Sequence, residues 1–319
     1  MEPVLRTWLT DRFGLQIPLV AAPMGGAANA SFAAAVSRSG ALGMVAAGSK
    51  ATVESVRVQL DEAATTGLPF GVGVLGWVVA RKPEIIEAVV AAKPVLVSIS
   101  YGGLADHFDA LRAAGIPVAT QVGTVDDARQ AAAQGVDVVV ARGGEGGGHG
   151  RDEMATLPLL QEVLDAVDVP VLAAGGIATA RGLAAVLAAG AVGAWVGTAF
   201  LGCVETAWSE VARQSVIGAG DGDTIYTRTF DIGLGLDWPP EFGGRALRNT
   251  FSDKWHGREA ALAGDHEATE TMARAVSDQN MDVAPVWAGQ SVSLVNKQRT
   301  VAEVIAGFAE AETLLRRWA

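Results

Sequence analysis

Cysteine is almost missing from this chain of 319 residues: Cys203 stands alone, which excludes a disulfide framework and points to a reducing compartment. Charge is sparse as well, at 18% of residues. No Lys/Arg cluster interrupts it, and the net charge of −11 argues against a nucleic-acid-binding surface. The four histidines (His107, His149, His256, His266) show no ligand spacing with acidic residues, so no catalytic metal is expected. Lys82, Lys93, Lys254 and Lys297 are badly placed for a Schiff base, and Lys50 lies past a strand in a polar loop. Segments that would carry paired carboxylates in a glycosidase read instead Ser100-Tyr101-Gly102 and Gln121. The first residues, MEPVLRTWLTDRFG, have neither a basic stretch nor an apolar core, so no secretory leader is expected. Residues 183–204 carry no charge and could span a bilayer, but Gly190, Gly193, Gly197 and Gly202 punctuate them. A helix end, a turn, a strand and a second turn are expected there. No membrane association is expected, and the expected location is the cytoplasm.

What is present is apolar residues, at 50%, with abundant alanine and glycine, as suits a large core with helices packed tightly on a sheet. Aliphatic runs at 17–21, 42–46, 69–74, 95–98, 117–121, 136–141, 171–173 and 194–196 read as strands. Between them, helices are expected at 31–39, 52–66, 83–92, 103–114, 125–134, 157–167 and 178–189. Strands joined through helices pair in parallel by right-handed crossovers, and eight such units close into a (β/α)8 TIM barrel of the α/β class. An open Rossmann-like sheet is the alternative; it would want a glycine fingerprint after the first strand, and AAPMGG does not supply one. From 205 to 286 the texture becomes more charged and aromatic, which reads as an inserted, mostly helical cap over the barrel mouth. The barrel would then comprise 1–204 and 287–319, with an amphipathic helix at 301–318 completing its outer ring.

Barrels of this kind carry their chemistry on the loops after the strands. The first such loop is Ala22-Pro23-Met24-Gly25-Gly26, suited to the edge of a flat ligand, although Met24 could equally fill the core. Gln121 ends the fifth strand and offers an amide to a heterocycle edge, or else bonds to backbone. The sixth strand runs into RGGEGGGHGR at 142–151, where bare backbone can lie flat on a ligand and leaves His149 facing it; a solvated turn is the bland alternative. The seventh and eighth strands end in AAGGIAT at 173–179 and GTAF at 197–200, the two loops that commonly build a phosphate site from amide groups. A phosphate, an aromatic edge and one histidine suggest flavin mononucleotide, FMN.

These motifs together resemble the nitronate monooxygenase (2-nitropropane dioxygenase) family of FMN-dependent barrels. The likeness runs through APMGG at 22–26, FGV at 70–72, GGEGGGHG at 143–150, AAGGIA at 173–178, GTAF at 197–200, GRALRNTF at 244–251 and AGQS at 288–291. It implies FMN with its phosphate on Gly175, Gly176, Gly197 and Thr198. Its ring would lie near Ala22, Pro23, Met24, Gln121, Gly147 and Gly148, with His149 catalytic. Three positions depart from the pattern. Gly146 stands where alanine is usual, Gly73 where asparagine is common, and Gln121 where some relatives place a lysine, so no positive charge is expected at the flavin's pyrimidine edge.

The resemblance implies oxidation of an alkyl nitronate by O2 to a carbonyl compound and nitrite. His149 would be the base toward a neutral nitroalkane, or proton donor and anchor to the nitronate. An ordinary imidazole, with pKa ~6.5, suits either role near neutrality. Two other readings are open: an NAD(P)H-dependent FMN reductase of quinones or enoyl thioesters, and a flavin-free phosphosugar isomerase. Whether the chain forms a homodimer is also open.

Overall fold

The strands are, in chain order, β1 (Leu19–Ala21), β2 (Gly43–Ala47), β3 (Phe70–Leu75), β4 (Leu96–Ser100), β5 (Val118–Val122), β6 (Val138–Arg142), β7 (Gly148–Gly150), β8 (Val171–Ala174), β9 (Gly193–Val196), β10 (Thr224–Thr227) and β11 (Gly243–Leu247). The computed structural model describes residues 5–102 and 105–317. Eight of the strands form one parallel sheet in the order β1-β9-β8-β6-β5-β4-β3-β2. Its ends meet at the parallel bridge between Val20 and Leu42, where the Ala21 N–H donates to the Leu42 carbonyl at 2.9 Å. The (β/α)8 barrel is therefore present, and each of its strands lies within two residues of the aliphatic run that marked it.

Period-two alternation divides the apolar residues into two layers. Val20, Leu42, Met44, Leu96, Val138, Val140, Leu172 and Trp195 form one cluster, joined by Leu9 and Leu15 from the N-terminal segment. Leu19, Val45, Val72, Val97, Ile99 and Val139 belong to the other, shared with the surrounding helices. Gly71 makes room in the first cluster: a Cβ there would stand 2.1 Å from the Met44 sulfur.

Helix starts and stops follow local chemistry. Thr52 and Thr124 cap the helices Val53–Thr65 and Val125–Gln134 with their hydroxyls, and Gly135 ends the second at φ 87, in the left-handed region that glycine tolerates. The uncharged segment 183–204 divides as expected into the end of the helix Ala180–Ala188, strand β9 and the short turn Thr198–Phe200. No helix of the described residues is long and apolar enough to cross a membrane. The expected helix at 103–114 begins later, with the turn Ala105–His107 and then the helix Phe108–Ala113; Gly103 lies outside the described residues. The expected tail helix is two, Val301–Ala309 and Ala311–Arg316, because Glu310 takes a turn conformation (ψ −12) between them; Trp318 lies outside the described residues.

The stretch 205–286 contains five helices, the longest His266–Ser277, and strands β10 and β11. Those strands were not expected. They join β7 in a small antiparallel sheet, β10-β11-β7, which ties this stretch to the loop after β6.

Candidate active site

The glycine-rich loop after β6 folds around the last side chain of that strand. Arg142 is 4% exposed, and its guanidinium donates to the carbonyls of Gly146 (2.6 Å), Gly148 (3.0 Å) and Arg151 (2.8 Å). Burial lowers its pKa from the ordinary guanidinium value, with Tyr101 the strongest opposing influence. The loop can close this tightly only with glycine. A Cβ on Gly146 would approach Arg142 Nε to 2.7 Å, and one on Gly150 would approach Nη1 to 2.5 Å. The departure at Gly146 thus accompanies the buried arginine. The loop's acid does different work: Glu145 accepts from the Thr156 N–H at 2.8 Å and the Thr156 hydroxyl at 2.7 Å, capping the helix Thr156–Ala166.

His149 lies on β7, opposite Gly244 of β11. Its carbonyl accepts from Tyr101 Oη at 2.9 Å, and the next carbonyl, that of Gly150, accepts from Tyr226 Oη at 2.8 Å. Burial raises the pKa of both phenols, which keeps them protonated as donors. Tyr101 sits at φ 69, a left-handed conformation rare outside glycine, at the end of β4. The imidazole itself is bound on three sides. Nε2 is 2.9 Å from Asp231 Oδ1, Trp238 stacks on the ring at 3.5 Å with 2° between planes, and Trp287 leans on it at 4.7 Å and 46°. The Asp231 carboxylate is 2% exposed and comes from the helix Thr229–Gly233. Nothing in the spacing of acids and histidines had marked it.

One cavity of about 540 Å³ gathers every residue expected to hold the flavin, together with His149. Ala22, Pro23 and Met24 enter from the end of β1, Gln121 from β5, Gly147, Gly148 and His149 from the glycine-rich loop, Gly175 and Gly176 from β8, and Gly197 and Thr198 from β9. Arg142 lines it too, so the wall carries the positive charge that Gln121 does not supply. Lys50, set aside from the sequence, also reaches the cavity, although it is exposed.

The backbone of this cavity suits a bound phosphate and a flat ring. Gly175 (φ 106) and Gly176 (φ 71) hold left-handed conformations, and among the described residues the amides of Gly176 and Thr198 donate to no protein acceptor. A Cβ on Gly147 would stand 2.5 Å from the Gly289 nitrogen, so the loop lies directly on the AGQS segment. That segment is pinned in turn by a bond from the Gly289 N–H to Thr198 Oγ1 at 2.9 Å.

Gly73 receives a physical reason as well: a Cβ there would meet Pro23 Cγ at 2.2 Å. Gly73→Asn should therefore push the Pro23 loop into the cavity and weaken cofactor retention, read as a higher Kd in a flavin titration. Cys203 is fully buried, and burial, aided by Glu205, pushes its thiol up to about 12, which removes it as a nucleophile.

Residues 6–78 and 77–310 match the family model described as nitronate monooxygenase. The chain belongs to the nitronate monooxygenase family. It is 31% identical to a nitronate monooxygenase of Neurospora crassa over 92% of this chain and 88% of that protein. It is 35% identical to a hydroxy-methyl-oxo-octahydroindene-carboxyl-CoA dehydrogenase of Rhodococcus jostii over 71% of this chain, spanning 64% of that relative's length. Among solved structures, FabK from Thermotoga maritima superposes with a TM-score of 0.85 at 30% identity, covering 99% of this chain and all of that one. Nitroalkane oxidase from Streptomyces ansochromogenes does so with a TM-score of 0.83 at 27% identity, covering 97% of this chain and 99% of that one. This nitronate monooxygenase family member is an oxidoreductase.

Proposed function

We propose that this oxidoreductase is an FMN-dependent nitronate monooxygenase, which converts alkyl nitronates and O2 to a carbonyl compound and nitrite. The observation that carries the reading is that His149, half-buried and held by Asp231 and Trp238, borders the same cavity as the free amides of Gly176 and Thr198. Gly175, Gly176, Gly197 and Thr198 would hold the phosphate, where amides and left-handed glycines present donors to an anion. Ala22, Pro23, Met24, Gln121, Gly147 and Gly148 would receive the ring. When bound, the flavin supplies the redox chemistry between substrate and O2.

The chain's own residues handle charge and protons. Arg142 keeps a buried cation in the wall, which favours an anionic nitronate over a neutral competitor. His149 removes the α-proton of a neutral nitroalkane, or donates to the oxygens of a nitronate that arrives already ionised. Trp238 and Trp287 pack against its ring and hold its plane.

The likeness to a CoA-thioester dehydrogenase favours a second reading, an NAD(P)H-dependent FMN reductase of enoyl thioesters or quinones. Anaerobic mixing separates the two. Rapid loss of flavin absorbance with a nitronate, and little with NADH or NADPH, is the expected result. Rapid bleaching by a nicotinamide alone would transfer the assignment to the reductase.

A further inference from the structure

We infer that Asp231 is a positioning residue that decides which nitrogen of His149 exchanges the proton: Nε2 stays protonated against Asp231, and Nδ1 is the base. The chemistry rests on the reading above, but the choice of tautomer does not. The Nε2–Oδ1 distance of 2.9 Å joins a half-buried imidazole, 11% exposed, to a buried carboxylate, 2% exposed. With Asp231 Oδ1 accepting, Nε2 is the donor of this pair, and a neutral ring then carries its lone pair on Nδ1. Among the described residues no protein group bonds to Nδ1. The stacked Trp238 and the tilted Trp287 fix the plane of the ring. Asp231 Oδ2 is buried without a hydrogen-bond partner, so among the described residues this carboxylate's one side-chain bond is the one to His149. A buried acid with a single partner is costly as packing and makes sense as an orienting group.

Other ionisable residues around the pair do not compete for the ring. Tyr101 and Tyr226 spend their hydroxyls on the carbonyls of His149 and Gly150. Arg142 is committed to loop carbonyls. Arg245, from β11, bonds to the Gly144 carbonyl and to Asp152. Arg228 stands at the start of the helix that carries Asp231 with its Nε buried and unpartnered, and among the described residues no bond links it to the imidazole.

The test is nitrogen NMR of the imidazoles in the flavin-loaded wild type, Asp231→Asn and Asp231→Glu, paired with kinetics on a neutral nitroalkane and on its preformed nitronate. Signals of His149 are identified by their loss in His149→Asn. The wild type should show the Nε2–H tautomer alone. In Asp231→Asn the side-chain amide can donate to Nε2, and the Nδ1–H form should appear. Nitroalkane kcat/KM should then fall about 10²–10⁴-fold, while nitronate kcat/KM changes less than about tenfold. Asp231→Glu should restore the Nε2–H form and much of the rate. A wild type with Nδ1–H, which needs no folded variant, would overturn the proposal. So would an unchanged tautomer in Asp231→Asn, or equal losses on both substrates. Should the wild type turn over neither nitro compound, the nitronate reading fails, and the tautomer populations still decide the part played by Asp231.

Discussion

His149→Asn should lower kcat/KM for a neutral nitroalkane by about 10²–10⁴-fold, the usual worth of one positioned proton-transfer group, while the flavin stays bound. Asparagine keeps a polar side chain of similar reach but cannot take up a proton near neutrality. The loop around it should survive, because Arg142 holds the carbonyls of Gly146 and Gly148 and Tyr101 holds that of residue 149. Turnover of a preformed nitronate should fall much less, since its proton has already left. Steady-state rates on both substrates, with the visible spectrum as the check on flavin content, measure this. Unchanged nitroalkane turnover would remove His149 from the mechanism.

The second large effect is expected at Arg142. Arg142→Met keeps the apolar length of the side chain and deletes every bond from the guanidinium, leaving buried carbonyls of the glycine-rich loop without donors. Hydrogen bonds from a charged donor contribute about 1.5–3 kcal/mol each, and they are not additive, so a loss of roughly 3–5 kcal/mol is expected. In a chain of this size that lowers Tm by about 5–10 °C. The variant should also release its flavin during gel filtration, because Gly147 and Gly148 would no longer be held against the cavity. Arg142→Lys retains the charge but loses the planar fork that reaches three carbonyls, so it should recover only part of the stability. Calorimetry of the three proteins tests the series; a Met variant as stable as the wild type would contradict this role of Arg142.

The barrel was legible because its strands are buried on both faces and read as unbroken aliphatic runs between glycine-ended helices. The cavity was legible for a related reason. Glycines that let a backbone approach a ligand leave a visible mark in composition, and they lie at strand ends where this fold gathers its loops. The small sheet was not legible. GHG and GGRAL carry too much glycine to read as strands, and only their pairing reveals them. Asp231 escaped for a different reason. It lies 82 residues from His149, on a five-residue helix, and no periodicity links the two. Arg142 was visible as the first residue of the glycine-rich loop, but nothing in a sequence tells a surface arginine from one enclosed by its own loop. Gly146 and Gly150 were the available signal: beside an arginine, glycines without an evident turn mark space taken by a guanidinium.

The most direct test of the central claim is a crystal structure of the protein with FMN bound. The expected result is a phosphate on the amides of Gly176 and Thr198 and the isoalloxazine along Met24, Gln121 and Gly148, with Nδ1 of His149 facing the substrate side of the ring. Flavin bound elsewhere, or a His149 ring turned away from it, would contradict the assignment.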